Sequence, residues 1–171
     1  MNTRFPPARL ARALAAGALL AVTASAHAAF IDDWQSAASA CTPINSSTLG
    51  TATIPTTGAY VRAPLAPAAK LVYVCNVLDS FATAAPTWDY LQLQYLDPVG
   101  GAVRAQLFEK SKATGSVVLL ASAVSAAAVP ISTVTVLVPA MNFAANSYHV
   151  VITLLPQTST QVQAHMVTLT Q

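Results

Sequence analysis

The chain has 171 residues, of which 8% are charged, against about 25% in an ordinary soluble domain. Its formal charge of +2 comes from the first dozen residues, where Arg4, Arg9 and Arg12 precede an apolar run. Without them, five bases (Arg62, Lys70, Arg104, Lys110, Lys112) face six acids (Asp32, Asp33, Asp79, Asp89, Asp97, Glu109), a net charge of −1. The sequence thus shows no basic patch for nucleic acid or anionic lipid, and its composition excludes a disordered polyelectrolyte.

Residues 1–28 read as a cleaved signal peptide. A basic start leads into the uninterrupted apolar stretch Ala13–Val22, and Ala26-His27-Ala28 offers small residues at both positions signal peptidase requires. The apolar stretch is short for a bilayer, which needs about 20 residues. No later run replaces it, so no membrane insertion is expected after cleavage. The expected location of this bacterial-type export product is secreted or periplasmic.

Residues 29–47 form the next segment. Phe30–Ala40 (FIDDWQSAASA) places Asp32 and Asp33 where a first helical turn would use them, so an N-terminal arm or short helix is expected. Cys41 and Cys75 are the only cysteines. In an exported chain they are expected to form one disulfide. A redox pair lacks its Cys-x-x-Cys, and a metal site lacks further ligands.

From residue 48 to 171 the pattern is β. Weak strand candidates are Thr48–Ile54 and Ala59–Ala63. Lys70–Leu78 is apolar on most of both faces and reads as a central strand that carries Cys75 into the core. Trp88–Asp97 alternates with period two, with Leu91, Leu93 and Tyr95 on one face and Gln92 and Gln94 on the other. Asp97-Pro98-Val99-Gly100 has the residues of a type I turn. The chain returns with Val103, Ala105 and Leu107 inward, so a hairpin is expected over 88–109. Further strands are expected at Gly115–Val124, Ile131–Val138, Ser147–Leu155 and Thr160–Thr168, the last two as a hairpin turned near Gln157-Thr158-Ser159. Eight or nine short strands and one disulfide predict an all-β fold, a two-sheet antiparallel sandwich with Greek-key or jelly-roll connections.

Chemistry-bearing constellations are sparse. There is no Gly-x-Ser-x-Gly elbow, and carboxylates are too few for a paired acid–base site with one Glu and five Asp. His149 and His165 fall on separate predicted strands, the only basis for a small hydrolase or a two-His metal site, the former with Asp89 as partner. No catalytic residue, metal or cofactor is expected. Trp88 and Tyr90 are assigned to one strand face beside Gln92 and Gln94, a pairing of aromatic and amide groups suited to a sugar. Ile131–Val138 and His149–Leu155 are strongly β-forming and uncharged. At a sheet edge, either would be open to pairing with another chain.

The secreted sandwich stapled by Cys41 and Cys75, the second Cys late in a strand, resembles pilin-type subunits of chaperone-assembled fibres. That resemblance implies strand sharing. The chain departs from the class at both ends: Ala29–Ala40 lacks a donor strand's alternation, and Val167–Gln171 lacks an aromatic ending. No residue role is carried over. The function expected from sequence is a non-enzymatic structural or interaction module of the cell envelope or extracellular space, with a protein or glycan partner or a second copy. The alternatives are a carbohydrate-binding module using Trp88 and Tyr90, or a hydrolase using His149 or His165.

Overall fold

The computed structural model describes residues 33–44, 52–65, 70–78 and 87–171, all within one compact unit, Ile31–Gln171. The expected signal peptide, most of the candidate strand Thr48–Ile54, and Asp79 lie outside the described residues. Ten strands are described: β1 (Trp34–Ala37), β2 (Thr42–Pro43), β3 (Val61–Arg62), β4 (Leu71–Val77), β5 (Tyr90–Asp97), β6 (Val103–Ser111), β7 (Val117–Val124), β8 (Ala128–Leu137), β9 (Asn146–Leu154) and β10 (Gln163–Thr170). They form two antiparallel sheets. Sheet A runs β1-β10-β5-β8, with β3 also on β10; sheet B runs β2-β4-β9-β6-β7.

The pairings nest. β3 pairs β10, β4 pairs β9, β5 pairs β8 and β6 pairs β7. This is one long four-rung hairpin with β6–β7 at its tip, rolled until β10 meets β5 and β9 meets β6. The sandwich is a jelly roll.

That winding corrects both expected hairpins. β5 and β6 follow each other in sequence yet lie in opposite sheets, as do β9 and β10. Among the described strands, only β6 and β7 are neighbours both in sequence and in a sheet. The inward sets Leu91/Leu93/Tyr95 and Val103/Ala105/Leu107 therefore face each other across the core instead of standing side by side. Alternation marks which face is buried, but not which sheet holds it.

The N-terminal segment differs as well. Trp34–Ala37 is a strand on β10, and the only helical turn among the segment's described residues is a 3-10 turn over Ala38–Ala40. Pairing with Leu169 brings Trp34 over the core and outweighs the helix-start signal of the acids. β4 is less central than expected, because β2 covers it only at Val74 and Tyr73. Cys75 does enter the core and bonds Cys41.

Each end of the sandwich has its own closure. At one end Asp97, 0% exposed, accepts hydrogen bonds from the backbone N–H groups of Val99, Gly100 and Ala102 at 3.3, 2.9 and 2.8 Å. Gly100 and Gly101, with φ of +82° and +77°, carry the chain from sheet A to sheet B. At the other end Trp88 meets Phe143 edge-on at 6.2 Å, and Phe143 meets Tyr148 at 4.7 Å.

Candidate functional site

Around β5, sheet A presents an uncharged polar outer face. Tyr90, Gln92 and Gln94 on β5 lie opposite Leu137, Thr135 and Thr133 on β8. On their other side stand Thr170, Thr168 and Met166 of β10. Tyr90 is 37% exposed and the two glutamines are half-buried. Trp88 does not join them. Only 1% exposed, it sits in the core against Phe143. It precedes the first residue of β5, so the strand's alternation does not hold it outward, and its large apolar ring gains more from burial. The platform expected at Trp88 and Tyr90 is reduced to Tyr90 with its amide neighbours.

His149 and His165 are held apart. His149 is on β9 in sheet B, with its ring stacked on Phe108 of β6 at 5.4 Å and 13°; the two are direct cross-strand partners. His165 is on β10 in sheet A, at the register shift between Ala164 and Met166. Its Nε2 lies 3.0 Å from Gln163 Oε1, and its ring is 5.1 Å from Tyr60. Burial lowers the pKa of both imidazoles, and Lys110 lowers that of His149 further. Asp89 bonds Thr170 through its backbone N–H. It is thus five residues along β10 from His165, about 17 Å at strand rise. Neither a paired-His site nor a His–Asp89 couple is assembled, which corrects the grounds for the hydrolase alternative. Among the described residues, no three His, Cys, Asp or Glu side chains cluster to hold a metal. No described helix is long and apolar enough to cross a membrane.

The third feature is the side of the sandwich formed by β7 and β8. Each is the last strand of its sheet. From Val117 to Val138 there is no charged residue. Val117, Val118, Leu119 and Val124 of β7, with Val129, Ile131 and Leu137 of β8, are all exposed large apolar residues. Pro130 cannot donate to a ladder and is tolerated because β8 is an edge. The sequence pointed to Ile131–Val138. It did not separate Val117–Leu119 from core, because exposed and buried apolar runs read alike.

No family model and no curated sequence matches this chain. Solved structures do. A family 6 carbohydrate-binding module, dissected by crystallography and titration calorimetry, is 11% identical with a TM-score of 0.49, over 81% of this chain and 93% of its own. Carbohydrate-binding module CBM36 in complex with calcium and xylotriose is 11% identical with a TM-score of 0.44, over 78% and 97%. A family two carbohydrate esterase from Cellvibrio japonicus is 14% identical with a TM-score of 0.41, over 81% of this chain and 33% of its own. No residue role passes from them to this chain.

Proposed function

We propose that this chain is an exported, non-enzymatic interaction module that associates with a second copy of itself along the β7–β8 side of the sandwich. One observation carries the reading: two consecutive strands end their sheets with uncharged, β-forming edges on which no further described strand pairs. Natural edge strands are ordinarily blunted by Lys, Pro or a covering element. Beyond Pro130, the stretch Ile131–Leu137 has no such device among its own residues. An antiparallel β8–β8 pairing about a two-fold axis would bury the same patch from both copies. The signal-like leader and the Cys41–Cys75 bond support a location outside the cytoplasm.

The test is light scattering on a size-exclusion column with the oxidised protein. The expected mass exceeds one chain and grows with concentration. Thr133→Lys and Thr135→Lys point outward from sheet A and place like charges across the two-fold axis, so they should return the mass to one chain. A monomer at all concentrations overturns the reading.

A second reading rests on the outer face of sheet A. Tyr90 with Gln92 and Gln94, set among threonines and free of charge, supplies a ring face and amides for a neutral glycan. Titration with neutral oligosaccharides should then give binding that Tyr90→Ala removes.

A further inference from the structure

The outer face of sheet B gathers charge that the sequence scatters. Lys70 just before β4, and Arg104 and Lys110 on β6, are three of the five bases that follow the leader, and all three are exposed. Strand alternation puts them on one face, since Leu71, Val103, Ala105 and Leu107 between them point into the core. No described acid shares that face. Asp33 and Asp89 adjoin β1 and β5 of sheet A, and Asp97 is buried. Glu109 alternates to the other side of β6 and accepts the Tyr148 hydroxyl at 3.0 Å. A chain with net charge of −1 after its leader thus has one face on which the described formal charges are all positive.

Two hollows on this face contain those cations. The first, about 200 Å³, is lined by Lys70 and Arg104 together with Gln106 and Thr153. Thr153 lies between the two bases, paired with Arg104 on one side and Val72 on the other. The second, about 500 Å³, is lined by Lys110 with Asn76, Ser147 and His149. With Phe108 stacked on one face of the His149 ring, the ring closes one wall of that hollow. Arg104 and Lys110 are six residues apart on β6, about 20 Å at strand rise. Half-buried Val151 lies between the hollows, and its cross-strand partner Val74, also half-buried, lines the second.

We propose that the outer face of sheet B binds an acidic glycan, a chain whose carboxylate or sulfate groups reach both hollows while its sugar rings cross the apolar strip. Each hollow combines a cation for the acid group with an amide and a hydroxyl for sugar hydroxyls. A duplex nucleic acid would call for many regularly spaced phosphate contacts, and three cations in two separate hollows do not supply them. This face is distinct from the β7–β8 edge and from Tyr90, so the inference stands apart from both readings above.

The experiment is affinity electrophoresis of the oxidised protein through gels containing polygalacturonate, with neutral galactan as control. Retardation is expected with polygalacturonate alone, weakening as salt is raised. Lys70→Gln, Arg104→Gln and Lys110→Gln should each weaken it by about ten-fold, the range for a lost charge-assisted hydrogen bond. Arg62→Gln, on β3 of sheet A, and Lys112→Gln, beyond the end of β6 with its ammonium bonded to the Phe143 carbonyl, should leave it unchanged. Four of the five residues are exposed and Arg62 is half-buried, and far-ultraviolet circular dichroism confirms that each variant is folded. Equal retardation by galactan, no retardation at all, or Arg62→Gln weakening binding as much as Arg104→Gln would overturn the proposal. Equal binding to duplex DNA or to phosphatidylglycerol vesicles would overturn it in favour of those partners.

Discussion

The Ser125 hydroxyl donates to the buried Asp97 carboxylate at 2.5 Å, while the same hydroxyl oxygen accepts the Val103 N–H at 3.0 Å. One side-chain pair thereby joins the crossing from β5 to β6 with the crossing from β7 to β8. Around it, Ser125 N–H bonds Val103 C=O and Ala126 N–H bonds the Tyr95 hydroxyl. The carboxylate that sequence reading assigned to a simple turn is what satisfies the backbone of the arch.

Asp97→Ala would leave three backbone N–H groups and the Ser125 hydroxyl without their acceptor, and of these the Ala102 N–H and the Ser125 hydroxyl are buried. At about 1–3 kcal/mol for each unsatisfied buried group, the expected loss is about 2–6 kcal/mol. Ser125→Ala should cost less, about 1–2 kcal/mol, because Asp97 keeps its backbone donors. Gly100→Ala should also destabilise. Its φ is +82°, and an added Cβ would stand 2.7 Å from the Ala127 backbone nitrogen. Urea denaturation midpoints check all three, and an unchanged midpoint for Asp97→Ala would contradict the assigned role.

Reduction of Cys41–Cys75 releases a loop spanning 34 positions. The loop-entropy model gives about 3–4 kcal/mol for such a bond. Its partner interactions are weak, since β2 contributes only two paired residues to β4. The double variant Cys41→Ser/Cys75→Ser should therefore lose about that much in denaturant unfolding. Cleavage near β2 should also become faster in limited proteolysis. A denaturant midpoint equal to that of the oxidised protein would contradict this.

What was legible follows from what each signal encodes. Period two at 91–95 and 103–107 identified the buried faces, because side-chain alternation is intrinsic to a strand. Sheet membership was not legible, since Asp97-Pro98-Val99-Gly100 suits an arch as well as a hairpin. The same holds for 157–159. The cation face of sheet B was hidden for a related reason: Lys70, Arg104 and Lys110 converge only when β4 and β6 both flank β9. Trp88 failed for a local reason, as it lies just outside the strand whose alternation was extended to it.

Trp88 and Tyr90 should now behave as opposites. Trp88→Ala removes a buried ring from the Trp88–Phe143–Tyr148 cluster, and large-to-small changes of this kind cost about 3–5 kcal/mol. Tyr90→Ala removes a ring already 37% exposed and should cost under about 1 kcal/mol. Thermal unfolding of the two variants separates the cases. A stable Trp88→Ala protein would return the indole to the surface and revive it as a ligand platform.

Stability should also fall with acidification between pH 7.5 and 5. His149 and His165 both have folded pKa values below the ordinary 6.5, chiefly because burial disfavours the imidazolium, and for His149 also because of Lys110. A base with a lowered folded pKa takes up its proton more readily when unfolded. The favourable neutral state is therefore fully present above about 6.5 and is progressively lost as pH falls through the lowered folded values. The groups near His165 are Tyr60 and Gln163, with no described carboxylate partner to offset the cation. The melting midpoint should accordingly drop from pH 7.5 to 6 to 5, and His149→Gln/His165→Gln should flatten that dependence even if it lowers the midpoint at pH 7.5. A midpoint that rises on acidification would show that the imidazoles gain a proton more easily in the fold than out of it, contrary to their surroundings.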